Sequence, residues 1–263
     1  MKRPAYIAKH VRTVIRDGGS APHSAEVQWF FKQEVKSRGW YTHELRKVAA
    51  RFRRTILAQH DQGYLLQVAD QLFRGDVLEE KVFAVLMLQG IVGEFGRSEF
   101  TLFESWLDRV STWADHDALV HCLIGPMIAA DDSLLSRPPR WAKKKTGKPW
   151  HQRAAAVGLI HSTRQHKNFD DIRRITEMLT SDDDMVQKGL GWLLREAAKA
   201  NPDQTVKYLM TIRGRTPRLV LRTACETLPA NTRKRVLEKK AAADLHGSSR
   251  IRNKKKANLR SSA

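Results

Sequence analysis

Apolar residues recur at intervals of three and four along almost the whole of this 263-residue chain, and convincing runs of alternating β-branched residues are missing. A period near 3.6 without a period of two predicts an all-α protein. The spacing predicts helices over approximately 4–17, 24–37, 42–58, 62–73, 77–91, 98–109, 113–130, 149–164, 169–179, 183–200, 203–211, 216–226 and 230–242. Connections this short make successive helices antiparallel neighbours. Trp113, Trp150 and Trp192 lie 37 and 42 residues apart. That interval matches a helix pair of the HEAT type, which stacks into a curved solenoid because each pair buries its apolar stripe against the next. An irregular helical bundle also satisfies the pattern. The expected organisation is one HEAT-like domain over 1–242 and a basic, disordered tail over 243–263. In the tail Gly247, Ser248 and Ser249 lead into Arg250, Arg252, Lys254, Lys255, Lys256 and Arg260, which cannot build a core.

Two segments stand out from the periodicity. Asp131 to Lys148 reads as a long loop carrying Arg137, Arg140, Lys143, Lys144, Lys145 and Lys148 around Pro138, Pro139 and Gly147. It suits a clamp on phosphates or a solvated connection. The helix over 183–200 holds Gly189 and Gly191 in its middle, at a cost of about 2 kcal/mol together, which asks for a reason such as the close approach of another backbone. Trp192 beside them reads as core or as an aromatic plate facing a ligand.

Charge narrows the partners. With 47 Lys and Arg against 28 Asp and Glu, the formal net charge is +19, and clustered cations displace the counterions condensed on a nucleic acid. Membrane headgroups are the weaker competitor. The longest apolar stretch, Val82 to Val92, is broken by Gln89 and Gly90 and is too short to span a bilayer, so no transmembrane helix is expected. The basic start is followed by Lys9, His10, Arg12 and Arg16 rather than by an apolar run, so a cytoplasmic location is expected. Cys122 and Cys225, distant and in apolar surroundings, read as reduced core thiols. Phosphate-cradling glycine loops, zinc-ligand spacings and a nucleophile elbow are all missing from the sequence.

Against this background the segment Ser111-Thr112-Trp113-Ala114-Asp115-His116-Asp117 carries the most information. Thr112 and Asp115 form a capping box at the start of a helix. Asp117 is not needed for that cap and lies one turn beyond Trp113 on the same face, where the positive helix start keeps it ionised. A carboxylate aimed at a polyanion is wrong for simple binding and points to chemistry on it. Spacing alone leaves Asp117 open as an exposed helix acid or a reactive group. His116 and His121 flank it without forming a triad and read as structural or surface residues. Arg153, in Pro149-Trp150-His151-Gln152-Arg153-Ala154-Ala155-Ala156, is a solvated helix arginine or a bidentate phosphate ligand.

Taken in order, the Trp-x-x-x-Asp of Trp113 and Asp117, the Arg-Ala-Ala-Ala from Arg153, and Lys188-Gly189-Leu190-Gly191-Trp192-Leu193-Leu194-Arg195-Glu196 resemble the AlkD-type DNA alkylation repair glycosylases, built from HEAT-like repeats. Phe31-Lys32-Gln33-Glu34-Val35-Lys36-Ser37-Arg38-Gly39 and Leu221-Arg222-Thr223-Ala224 add weaker support, and the resemblance covers most of 24–228. It implies hydrolysis of the N-glycosidic bond of cationic alkylpurines, notably 7-alkylguanine and 3-alkyladenine, in double-stranded DNA, by a monomer without metal or organic cofactor. It implies Asp117 as the catalytic carboxylate, Trp113 and Trp192 as contacts to the lesion, and Arg153 at the DNA backbone. Lys143, Lys144, Lys145 and Lys148 of the basic loop join Arg153 there as candidate phosphate ligands. The chain departs from the family pattern where a second acid usually follows the motif's tryptophan: Ala114 stands there, with Asp115 one place later. The alternative reading is a nonenzymatic HEAT-repeat protein that binds branched or distorted DNA.

Overall fold

The computed structural model describes residues 3–144 and 149–238, and among these every regular element is helical. The chain runs through α1 (Pro4–Asp17), α2 (Ala21–Gln28), α3 (Thr42–Leu57), α4 (Gln62–Phe73), α5 (Leu78–Gln89), α6 (Arg97–Trp106), α7 (Trp113–Leu119) and α8 (Gly125–Ala130). It continues through α9 (Arg137–Ala142), α10 (Trp150–Val157), α11 (Ile160–Arg164), α12 (Phe169–Met178), α13 (Asp184–Ala200), α14 (Pro202–Ile212), α15 (Arg218–Ala224) and α16 (Ala230–Leu237). Short 3-10 turns at Val92–Glu94, Leu107–Arg109 and Asp132–Ser136 join some of them.

One row of packed helices runs α3, α5, α7, α10, α13, α15, each against the next. Helices between them in sequence back this row: α4 packs on α5, α9 on α10, and α14 on α13. A single hydrophobic core extends from Ala8 to Val236, with Phe73, Phe83, Phe100, Phe103 and Trp106 fully buried. Among the described residues, no single helix is long and apolar enough to cross a membrane.

Three expectations are corrected. The helix expected over 24–37 ends at Gln28, and the chain reaches α3 without regular structure. Side chains replace the missing ladder: Gln28 binds the carbonyl of Gln33 (2.8 Å) and the N–H of Val35 (2.9 Å). Further along, the buried Glu79 carboxylate accepts from Ser37 Oγ (2.6 Å) and from the N–H groups of Arg38 (2.8 Å) and Gly39 (2.9 Å). Gly39 takes φ 72° there, the left-handed region that glycine enters without penalty. Second, within the loop expected over 131–148 residues 132–142 are helical. Pro138 and Pro139 sit in the first turn of α9, where a missing N–H costs nothing, and Trp141 is buried with its indole N–H on Glu104 Oε1 (2.7 Å). Lys145 and Lys148 lie outside the described residues, as does the expected tail over 243–263. Third, the helix expected over 230–242 ends at Leu237, and described structure ends at residue 238.

The stretch expected as one helix over 113–130 is continuous but widens into a π-turn at Val120–Ile124. Pro126 has no N–H for an ordinary bond to the carbonyl of residue 122. The N–H of Gly125 reaches back five residues to Val120 O instead, and α8 resumes beyond.

Candidate functional site

Helix α7 is anchored by its cap. Thr112 Oγ1 accepts from the N–H groups of Ala114 (3.2 Å) and Asp115 (3.4 Å), while Asp115 Oδ1 accepts from the Thr112 N–H (2.6 Å). Asp115 is fully buried, and its other oxygen takes the Ser111 N–H (2.9 Å) and the buried ammonium of Lys81 (3.3 Å). The acid displaced one place from the family pattern therefore holds the helix start and does not face the site.

Asp117 projects from the next turn into an ion pair. Arg153 of α10 grips both oxygens of its carboxylate, Nε to Oδ1 at 2.9 Å and Nη2 to Oδ2 at 2.7 Å. The remaining Arg153 nitrogen, Nη1, donates to Met185 O at 2.6 Å. Arg153 is 5% exposed. The side chain expected at the DNA backbone is thus placed against Asp117. Gly189 explains how it fits: a Cβ at that position would lie 2.9 Å from Arg153 Cγ. Gly191, two residues on, faces Thr223, whose Cβ would be 2.6 Å away. Gly189 thus admits a side chain of α10, while Gly191 admits both Thr223 and the backbone of α15, whose Val220 carbonyl would lie 3.2 Å from an added Cβ, the close backbone approach expected from the sequence.

His116, fully buried, is a site residue that the sequence reading set aside. Its Nδ1 lies 2.7 Å from Asp117 Oδ1 and its Nε2 lies 3.1 Å from Trp150 O. Both partners accept, so a neutral ring can satisfy only one, and the nearer, charged oxygen takes the Nδ1–H. Burial pushes the imidazole below its ordinary pKa, against the pull of Asp117. For Asp117, burial alone would raise the carboxyl, but the hydrogen bonds from His116 and Arg153 outweigh it and hold the group at about 2. The carboxylate is ionised across the neutral range, and its side chain is still 21% exposed.

Trp113 and Arg153 share a cleft of about 680 Å³ that is also lined by Phe30, Phe31, Trp150 and Lys188. Asp182, Asp183 and Asp184 form an acidic stretch of its wall. Trp113 is half-buried, with Phe31 stacked on it at 5.2 Å between ring centroids and 20° between planes. Trp192, also half-buried, sits 5.4 Å from the ring of His121, the residue one turn beyond Asp117. Trp113 thus stands one turn before Asp117 on the same helix and Trp192 beside the residue one turn after it, while neither Asp117 nor Trp192 is among the residues lining the cleft. Lys143 and Lys144 are exposed beyond α9, and Lys144 binds Asp108 (3.0 Å) and His151 (3.1 Å), so neither lines the cleft. Among the described residues, no three His, Cys, Asp or Glu side chains group to hold a metal ion.

A carboxylate kept ionised and partly open can stabilise a developing cation. Similar architecture occurs in a solved structure from Enterococcus faecalis described as a predicted DNA alkylation repair enzyme, at a TM-score of 0.70 and 18% identity, covering 81% of this chain and 97% of that one. No curated protein matches the chain. The sequence model of the DNA alkylation repair enzymes matches residues 11–228, and the chain belongs to that family.

Proposed function

We propose that the protein is a DNA glycosylase that releases cationic alkylated purines, such as 7-alkylguanine and 3-alkyladenine, from duplex DNA as a step of base excision repair. The observation that carries this reading is the Asp117 carboxylate, held down to about 2 by its two partners yet 21% exposed. A purine alkylated at N3 or N7 is already a cationic leaving group, and its departure leaves an oxocarbenium-like sugar. Asp117 stabilises that cation and orients the water that attacks it. Arg153 and His116 act through Asp117 as positioning residues. Trp113 and Trp192 offer π-faces to positive charge on the base or sugar, a contribution of about 0.5–2 kcal/mol that grows as water is excluded. The HEAT-like stacking of helices and the surplus of cations supply a surface along which duplex DNA lies.

One observation favours a second reading. Arg153 neutralises Asp117 directly, as it would in a protein that binds distorted DNA without releasing a base. A base-release assay separates the two. Duplex DNA containing 7-methylguanine is incubated with the wild type and with Asp117→Asn; release by the wild type alone supports the glycosylase. Equal release by both removes Asp117 from its role, and tight binding with no release by either favours the second reading.

A further inference from the structure

Trp29 and Phe30 are 90% and 71% exposed, the most exposed large hydrophobic side chains among the described residues. A lone surface ring is ordinary, but two adjacent ones at the tip of an ordered turn mark an interaction surface. The turn is built rather than slack. Trp29, Phe30 and Phe31 donate their N–H groups to the carbonyls of Glu26, Val27 and Gln28 in succession. Gln28 ties down Gln33 and Val35 behind them, and Gln33 reaches Ser111 O at 2.9 Å. Phe31, next in sequence, stacks on Trp113, and Phe30 itself lines the cleft. The aromatic row therefore runs from the Trp113 face outwards to the tip.

Its surroundings select a partner. Lys32, two places after Phe30, is 85% exposed and pairs with Asp184 at 3.2 Å, so its cation offsets the acidic wall of the cleft. A chain of net charge +19 repels its own copies, and two rings fall far short of the roughly 800 Å² per partner that a stable dimer buries. Planar rings on a cationic chain fit nucleic-acid bases, which stack on any aromatic face whatever their sequence.

We propose that Trp29 and Phe30 form a wedge that enters a base step of bound duplex DNA beside the nucleotide lying at Trp113. The assignment rests on the DNA-lesion reading of the neighbouring site and extends it: the protein recognises a weakened stack and props it open from one side. Parting a base step costs a few kcal/mol of stacking, and the cost is least at a damaged nucleotide. The rings add stacking free energy that undamaged, tightly stacked DNA does not return.

The test uses full-length wild type and the double variant Trp29→Ala/Phe30→Ala, whose changes remove mostly exposed atoms. Each is titrated with a duplex carrying 7-methylguanine beside 2-aminopurine, and base release is measured in the same samples. The wild type should change the 2-aminopurine fluorescence at least twofold; the variant should lose that change and bind about tenfold more weakly. Equal affinity and an equal fluorescence response overturn the wedge, and if the wild type still releases the base, the glycosylase reading survives alone. No release by either protein, with the fluorescence change confined to the wild type, retains the wedge and removes the glycosylase. Loss of phosphatidylglycerol-vesicle binding in the variant, with no fluorescence response to DNA in either protein, overturns the wedge in favour of a membrane contact.

Discussion

Arg153 and Asp117 meet through two parallel hydrogen bonds, 2.9 and 2.7 Å long, between helices α10 and α7. The fork fixes the plane of the carboxylate as well as its charge. Arg153→Lys keeps the charge and loses the fork, so single-turnover release of 7-methylguanine should fall about tenfold to a hundredfold, the equivalent of roughly 1.4–2.7 kcal/mol in the barrier. Arg153→Ala also removes the side-chain donor to the Met185 carbonyl and leaves Asp117 with His116 as its remaining partner, and should lower unfolding stability by about 2–4 kcal/mol, read from urea denaturation. Release at the wild-type rate by Arg153→Ala would show that Asp117 needs no such partner.

The glycines of α13 separate site effects from packing effects. Alanine normally gains about 1 kcal/mol over glycine inside a helix. At Gly189 the added carbon would meet Arg153 Cγ at 2.9 Å, on a side chain pinned at its far end by Asp117. Gly189→Ala should therefore slow base release at least tenfold. At Gly191 the clash is with Thr223 Cβ at 2.6 Å, on α15. Gly191→Ala should lower the thermal midpoint by several degrees, the effect of 1–2 kcal/mol of overpacking. The informative comparison is release rate against midpoint for the two variants; an identical pattern would refute the division.

That contrast also shows what could be read without coordinates. The Thr112 and Asp115 cap follows from spacing, because a cap is a local hydrogen-bond pattern within one turn, and freeing Asp117 from it pointed to the group that Arg153 holds. The partnership of Arg153 was not legible: its distance from Asp117 in sequence hides a contact that exists only because α7 and α10 pack. His116 carries no such signal, since no pattern tells which neighbour of an acid turns inwards. The turn at Trp29 and Phe30 was misread as helix for a different reason. Val27, Phe30, Phe31 and Val35 mimic a helical stripe, while the side chains of Gln28 and Glu79 satisfy the backbone in its place. Around α9, basic residues masked the buried Trp141 and the helix-starting prolines.

Acid should weaken the fold in two stages. Burial, helped by His161 and Arg164, lowers His121 to about 4, and burial likewise lowers His116, His151 and His161. Each binds protons more readily in the unfolded chain, where the ordinary histidine value is about 6.5. Their contribution is complete above about pH 7 and is lost as the pH falls from about 6.5 towards 4. Asp117, held at about 2 against an ordinary 3.8, contributes fully above about pH 4 and is lost only below it. Urea midpoints measured from pH 8 to 4 should decline below pH 6.5. His121→Asn should recover about 1–2 kcal/mol of the drop, after allowance for solvent screening of a half-buried ring. A flat profile for the wild type would contradict the burial of these rings.

Lys81 and Asp115 bury an ion pair under the helix that carries Asp117, with side chains 4% and 1% exposed. Lys81 also donates to the Arg109 carbonyl and to Ser111 Oγ, the latter at 2.6 Å, so the ammonium is fully engaged in the turn that enters α7. Removing one partner strands the other's charge in the core, which costs about 3–5 kcal/mol. Asp115→Asn keeps the shape but not the charge, and Lys81→Met keeps the stem and loses the ammonium. Each single variant should be strongly destabilised in urea, while the pair together should recover much of the loss, since no lone charge remains. The double variant should still release base slowly, because the cap that aims Asp117 depends on the carboxylate receiving the N–H groups of Ser111 and Thr112. Additive losses in the double-mutant cycle would show that Lys81 and Asp115 act on α7 independently.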